Sequence, residues 1–156
     1  MDITYTVGII GDRGCGKTVF MLRHATGDFS SEPSPISQCM LKFATTKGSY
    51  NIVCTEDKYD CDAMIYMMNL VKPQNEQKIE RILARFTKPK VLCGNKCDRI
   101  SARSPVAFVR HLITTQAVKY FGISAKSNYN IEKPFLHILR ELTSQPDLEF
   151  VAMNVN

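Results

Sequence analysis

The sequence predicts an α/β fold in which a mainly parallel sheet is covered by helices on both faces. Apolar runs with strand character alternate with segments of helical periodicity along the chain, a pattern typical of parallel sheets. A glycine-rich turn, GDRGCGKT at residues 11–18, stands between the first strand-like run and the first helical segment. Because the 156 residues contain no internal repeat and no clear linker, we expect one domain spanning residues 1–156.

Six segments have strand character: ITYTVGII (3–10), CMLKFATT (39–46), SYNIVCT (49–55), AMIYMMN (63–69), KVLCGN (90–95) and KYFGIS (119–124). Lys47-Gly48 separates the second segment from the third, which predicts a hairpin. The run at 63–69 is apolar without interruption, and this predicts a strand buried on both faces. The segment 28–38, rich in Ser and Pro, is predicted to be a long loop.

Four segments have helical character: KTVFMLRHAT (17–26), PQNEQKIERILARF (73–86), SPVAFVRHLITTQ (104–116) and EKPFLHILRELTS (132–144). Pro73 and Pro105 stand where helices often begin, with Ser104 as a cap. In the second helix Ile79, Ile82, Leu83 and Phe86 fall on one apolar stripe.

Composition sets broad limits on function. The net charge of +5 permits acidic partners but does not demand nucleic acid. The apolar stretch AMIYMMNLV is too short to span a membrane, and MDITYTVGII lacks the features of a signal peptide. We therefore expect a soluble protein made in the cytosol, without direct membrane contact, whose six scattered cysteines are free thiols.

The glycine-rich turn fits the phosphate-binding pattern G-x-x-x-x-G-K-[ST]. Its glycines let successive backbone N–H groups point at phosphate oxygens, and the following helix adds the positive end of its dipole. Lys17 would reach the outer phosphates, and the Thr18 hydroxyl would bind Mg²⁺. From this segment we predict the following nucleotide-binding residues: Asp12, Arg13, Gly14, Cys15, Gly16, Lys17, Thr18 and Val19.

Two later segments suit recognition of a guanine base. GNKCD (94–98) follows a buried strand, and the Asp98 carboxylate can accept two hydrogen bonds from guanine that adenine does not offer. Asn95 can brace the loop, and Lys96 can lay its aliphatic stem along the ring. ISAKS (123–127) follows the last strand and predicts a backbone N–H from Ala125, flanked by Ser124 and Lys126, for the guanine oxygen.

Together these motifs resemble the small GTPases of the Ras superfamily, and most closely their Ran-type members. The resemblance is carried by VLCGNKCD, ISAKSNYNIEKPFL and PDLEFVAM, and by GDRGCGKTVFMLRHATGDF near the start. It implies the small-GTPase fold, GDP or GTP as ligand, and Mg²⁺. By the same resemblance Phe29 would pack edgewise on the guanine, although plain core packing remains the alternative.

The sequence departs from this family between its third and fourth strands. Ran-type proteins carry W-D-T-A-G-Q there, whereas this chain has YNIVCT, which places Cys54 at the aspartate position, followed by EDKYD (56–60). The glycine that senses the γ-phosphate and the glutamine that orients water are missing, and Ile36 aligns with the Mg²⁺-binding threonine. We expect the second switch and its helix to be deleted. EDKYD is either a solvated acidic turn, the interpretation we favour, or a substitute Mg²⁺ site through Glu56 or Asp57.

Arg13 occupies a position where the family usually has a small residue. It would obstruct the space of the catalytic glutamine or bind phosphate; the alternative, a built-in arginine finger, would have no oriented water to act on. We therefore predict no catalytic residue and very slow or absent hydrolysis. With few γ-phosphate contacts left, GDP and GTP should bind within about tenfold of each other.

Two functions remain open at this stage. One is a Ran-like guanine-nucleotide-binding protein with impaired hydrolysis that acts in, or interferes with, nucleocytoplasmic transport. The other is a nucleotide-independent decoy or scaffold that mimics the surface of Ran. For both we expect a monomer in the nucleus and cytoplasm, with Ran-pathway proteins as partners and no direct contact with nucleic acid.

Overall fold

The computed structural model describes residues 3–26, 36–72, 74–96 and 107–151. These ranges contain six strands and four helices: β1 (Ile3–Ile10), α1 (Lys17–Thr26), β2 (Gln38–Thr45), β3 (Gly48–Glu56), β4 (Ala63–Asn69), α2 (Glu76–Arg85), β5 (Lys90–Asn95), α3 (Ala107–Gln116), β6 (Lys119–Gly122) and α4 (Lys133–Thr143).

The six strands form one mixed sheet in the order β2-β3-β1-β4-β5-β6. β2 runs antiparallel to β3 in the predicted hairpin, and all other neighbours pair in parallel. Gly48 closes the hairpin with φ of 106°, a backbone conformation that favours glycine. The mainly parallel α/β architecture predicted from the sequence is therefore confirmed.

Apolar side chains fill both faces of the sheet. On one face, Phe20 of α1 and Phe135 of α4 pack in a cluster with Ile9, Ile65 and other strand residues. On the other face, α2 and α3 pack against a second cluster that includes Met64 and Tyr66 of β4. All seven residues of β4 are buried, which confirms the prediction of a strand covered on both sides.

The start of α2 differs from the prediction. α2 begins at Glu76, because the Asn75 side chain caps it by accepting a hydrogen bond from the Lys78 N–H at 3.1 Å. α3 is already helical at Ala107, where the described residues resume, so its predicted start is not tested. Pro73, Ser104 and Pro105, together with most of the predicted loop 28–38, lie outside the described residues.

The connection from β3 to β4 is short. Residues 57–62 join the two strands without a helix, as the sequence predicted. On the edge strand β2, Met40 has 63% of its surface exposed. Within the connection, Asp62 accepts a hydrogen bond from the Thr6 N–H of β1 at 2.8 Å. Among the described residues, no helix is long and apolar enough to span a membrane.

Candidate nucleotide-binding site

The predicted site residues converge where the parallel strands end. β1 lies between β3 and β4 in the sheet, so the chain connections diverge on either side of it. Ligands of open α/β sheets bind at the carboxyl ends of the strands at such a point. Here the carboxyl end of β1 leads directly into the glycine-rich loop 11–18 and then into α1.

The loop needs its glycines for space and for backbone conformation. Gly14 and Gly16 have φ of 84° and 99°, in the region that side chains disfavour. A Cβ on Gly16 would lie 2.3 Å from Asn95 Nδ2, and a Cβ on Gly11 would lie 2.4 Å from the carbonyl oxygen of Met67. The loop is therefore packed directly against the ends of β4 and β5.

Lys17 is the first residue of α1, and its side chain folds back over the loop. Its buried Nζ donates hydrogen bonds to the carbonyl oxygens of Gly11 at 2.5 Å and Asp12 at 3.2 Å. An ammonium group is thus held beside the backbone turn that the sequence assigns to phosphate. This arrangement supplies positive charge and N–H donors at one point, as anion binding requires.

Asn95 joins three parts of the site. Its Nδ2 donates to the carbonyl oxygen of Cys15 at 3.0 Å, and its Oδ1 accepts from the Lys96 N–H at 2.8 Å. The Ala125 N–H, predicted to face the guanine oxygen, lies 3.4 Å from the same Oδ1. Asn95 therefore connects the glycine-rich loop with the two segments that the sequence assigns to base recognition.

Two side chains approach the carbonyl oxygen of Gly14 from neighbouring loops. Lys96 Nζ lies 3.5 Å from it, so the Lys96 side chain reaches across to the glycine-rich loop. The buried Asn69 donates to it through Nδ2 at 3.4 Å, and the sequence analysis missed this residue. Asn69 pairs with Asn95 in the register of β4 and β5, so its position at the end of a buried strand was the available signal.

The structure places Cys54, which the sequence aligns with the family's aspartate, away from the glycine-rich loop. Cys54 is fully buried in the core, facing Cys39 on β2, and hydrogen bonding to Cys39 together with burial raises the pKa of its thiol. It therefore does not take the place of the family's aspartate. β3 continues for two more residues, and Glu56 at its end accepts a hydrogen bond from the Thr18 hydroxyl.

The expectation of a purely solvated turn at residues 56–60 was therefore wrong at its first position. Glu56 is half-buried, and its backbone N–H donates to the carbonyl oxygen of Ser37 at 2.8 Å. Asp57 is exposed, and its Oδ1 lies 3.9 Å from Lys17 Nζ. Two carboxylates consequently face the lysine and the threonine of the glycine-rich loop.

A second ion pair fastens this loop to α2. Asp12 Oδ1 lies 2.7 Å from Lys78 Nζ, and this hydrogen bond raises the pKa of Lys78. Both side chains are close to half exposed, so the pair contributes little to stability. Its effect is that the Asp12 carboxylate is paired with Lys78 of α2.

The remaining predicted residues occupy varied positions. Arg13 and Lys126 are exposed, Val19 is half-buried in α1, and Cys15 and Ser124 are buried. Burial raises the pKa of the Cys15 thiol. Ser124 closes the 124–129 loop through paired backbone hydrogen bonds with Tyr129. Phe29 and Asp98 lie outside the described residues.

The oxygen atoms beside Thr18 suit magnesium. Mg²⁺ prefers carboxylate, hydroxyl, water and phosphate oxygens, which matches the Thr18 hydroxyl and the Glu56 carboxylate and not the Cys54 thiol. Within the described ranges, no three His, Cys, Asp or Glu side chains cluster as a metal site. An ion held here would therefore take its other ligands from phosphates and water, as is usual for Mg²⁺.

A comparison with family models identifies the chain independently of the glycine-rich loop. The model of the Ras family matches residues 50–144, which is more than half of the chain and begins after residues 11–18. The matched range includes β4, β5 and the Asn95 contacts. The order of the strands, the glycine-rich loop after β1 and this match agree with one another: the chain belongs to the Ras family of GTP-binding small GTPases.

Proposed function

We propose that this protein is a Ran-like guanine-nucleotide-binding protein with very slow or absent GTP hydrolysis, acting in or interfering with nucleocytoplasmic transport. The observation that carries the nucleotide-binding part is the Asn95 side chain, which ties the glycine-rich loop to both base-recognition segments. This buried link stabilises the fold, and it also holds the glycine-rich loop against the segments assigned to the base, which is the arrangement that nucleotide binding would use. Membership of the Ras family supports the same assignment.

The base is assigned by sequence. Asp98 would accept hydrogen bonds from guanine, Ala125 would donate to the guanine oxygen, and Phe29 would cover the edge of the ring. The described part of the site supports this direction, since Lys96 and Ala125 sit on the two loops that meet at Asn95. Lys17 and the backbone of residues 13–18 would bind the phosphates.

Impaired hydrolysis follows from what the β3–β4 connection contains. The six residues 57–62 include neither glycine nor glutamine, so the connection lacks the two residues that sense the γ-phosphate and orient the attacking water in the family. The loop position of Arg13 is exposed, where the side chain would crowd a triphosphate end. Positioning supplies most of the rate in phosphoryl transfer, and losing it leaves slow turnover.

Magnesium would be held by Thr18 and Glu56 together with the phosphates, and would neutralise phosphate charge. Glu56→Gln should reduce the dependence of GDP affinity on Mg²⁺, measured by calorimetry with Mg²⁺ and with EDTA. Asp60→Asn removes an equal charge from the exposed turn that follows β3 and should leave this dependence unchanged. If Glu56→Gln behaves like Asp60→Asn, Glu56 is not a magnesium residue.

The Ran-like role rests on surface segments. In the segment PDLEFVAM, the described residues up to Val151 place Phe150 against Phe43 of β2, with ring centroids 5.0 Å apart. The stretch HLITTQAVKY before β6 is largely neutral, whereas Ran-type proteins carry basic residues there for transport receptors. We therefore expect weak binding to importin-type receptors, and a nanomolar complex in a titration with a purified receptor would contradict this expectation.

Mass spectrometry of the purified protein tests the proposed function directly. Recovery of GDP or GTP in near-stoichiometric amount is the expected result. Recovery of no nucleotide, together with no binding of added GDP, would favour the nucleotide-independent scaffold.

A further inference from the structure

We propose that Asp57 makes this site selective for nucleoside diphosphates over triphosphates. The inference rests on the proposed nucleotide-binding function and adds a specificity-determining residue to it. It replaces the expectation, drawn from the sequence, that GDP and GTP bind with similar affinity.

The backbone holds Asp57 beside the phosphate loop. Its N–H donates to the carbonyl oxygen of Ile9 at 2.9 Å, which extends the pairing of β3 with β1 to within two residues of Gly11. Its φ is 55°, a left-handed conformation that Asp tolerates better than most residues. This conformation ends the strand at Glu56 and leaves Asp57 at the mouth of the loop.

The carboxylate of Asp57 faces the amine that serves the outer phosphates. Its Oδ1 lies 3.9 Å from Lys17 Nζ, whose other partners are the carbonyl oxygens of Gly11 and Asp12. The nearby cation Lys78 is already paired with Asp12 at 2.7 Å. Glu56 is directed to the Thr18 hydroxyl, so in the part of the chain that the structure describes Asp57 is the acidic side chain paired with Lys17.

Electrostatics then separates the two nucleotides. The terminal phosphate of a triphosphate would have to share Lys17 with a carboxylate and would place its own negative charge beside it. A diphosphate ends farther from that carboxylate and leaves Asp57 as the partner of Lys17. Because 61% of the Asp57 side chain is exposed, solvent screens this repulsion, and we expect an effect of about fivefold to tenfold in affinity.

Calorimetry with GDP and a non-hydrolysable GTP analogue, each with Mg²⁺ and with EDTA, tests the inference. The natural protein should bind GDP about fivefold to tenfold tighter than the analogue. Asp57→Asn keeps the shape and tolerates the left-handed backbone, and it should reduce this preference about fivefold by strengthening analogue binding. Asp60→Asn is the matched control, since Asp60 is an exposed carboxylate of the same turn, and it should leave the preference unchanged.

The outcomes separate the two proposals. Equal affinities for GDP and the analogue in the natural protein, or an unchanged ratio in Asp57→Asn, would overturn the role of Asp57 while leaving guanine-nucleotide binding intact. Failure of the natural protein to bind either nucleotide would overturn the proposed function and this inference with it.

Discussion

Asn95 at the end of β5 donates a hydrogen bond through Nδ2 to the backbone carbonyl oxygen of Cys15, across 3.0 Å and 80 residues of sequence. The bond is buried, and it passes beside Gly16, where only the absence of a Cβ leaves room for it. It joins the loop that would hold phosphate to the loop that would read the base. We therefore expect the stability of the fold and the nucleotide affinity of the site to be coupled at this one side chain.

Asn95→Ala should lower the free energy of unfolding by about 1–3 kcal/mol, because it leaves the Cys15 carbonyl buried without its partner. GDP affinity should fall as well, since the glycine-rich loop loses its support. Urea unfolding and calorimetry measure the two effects. Asn51→Ala removes the same amide from a half-buried position in β3 and should leave GDP affinity unchanged; equal loss of affinity in both variants would contradict the coupling.

Gly16→Ala and Gly48→Ala form a matched pair. Both glycines have positive φ, 99° and 106°, so alanine strains the backbone at each by about 1–3 kcal/mol. At Gly48 a Cβ meets nothing within 4 Å, whereas at Gly16 it would strike Asn95 Nδ2 at 2.3 Å. Gly16→Ala should therefore destabilise more in urea unfolding and should also weaken GDP binding, which Gly48→Ala should not; similar behaviour of the two variants would argue against this packing.

His24 should make stability depend on pH. Burial among Phe20, Phe43 and Phe135 lowers the pKa of His24 from 6.5 to about 4, outweighing its hydrogen bond with the Ile131 carbonyl at 2.8 Å. The unfolded chain takes up a proton first, so stability is fully present above pH 6.5 and is lost as the pH falls toward 4.

We expect a loss of about 1–3 kcal/mol between pH 7 and pH 4.5, measured by urea unfolding. His24→Gln should lower stability at pH 7 but flatten this dependence. The exposed His111 gives the control variant His111→Gln, which should retain the full slope. A slope that persists in His24→Gln would assign the titration to other groups.

GTP turnover should not exceed about 5 × 10⁻⁴ s⁻¹ in a single-turnover assay, the scale of unassisted small GTPases. A Ran-activating protein should give no measurable stimulation, because residues 57–62 offer no glutamine for it to position. A functional Ran-type enzyme in the same assay serves as the positive control, with an expected gain of up to about 10⁵-fold. Clear stimulation of this protein would mean that another group orients the water.

Much of the fold could be predicted because its patterns were unbroken. β1, α1, β4 and β5 have the bounds expected from their apolar runs and the polar or glycine residues beside them. The predicted start of α2 was wrong. Pro73 suggested that the helix begins there, whereas Asn75 caps it and the first helical residue is Glu76. A cap depends on one hydrogen bond, and the sequence offers several residues able to make it.

The acidic end of β3 was misjudged for a different reason. Matching the family motif by residue count placed its aspartate at Cys54, although Tyr50, Ile52 and Cys54 alternate as one core-facing set. That alternation predicts that the Cys54 side chain points into the core and that the strand continues to Glu56. Glu56 contacts Thr18 and Asp57 contacts Lys17 only because β3 extends along β1 as far as Glu56. The length of this pairing is set in the folded sheet and could not be predicted from the sequence.

The measurement that tests the central claim most directly is calorimetric binding of GDP and ADP to the same protein. An Asp98 carboxylate accepting two hydrogen bonds from guanine should favour GDP by at least about 100-fold. Asp98→Ala should remove this preference, while Asp60→Ala, which deletes an exposed carboxylate, should retain it. If Asp98 recognises guanine, the natural protein and Asp60→Ala bind GDP more tightly than ADP, and Asp98→Ala does not. Equal affinity of the natural protein for GDP and ADP would contradict guanine recognition.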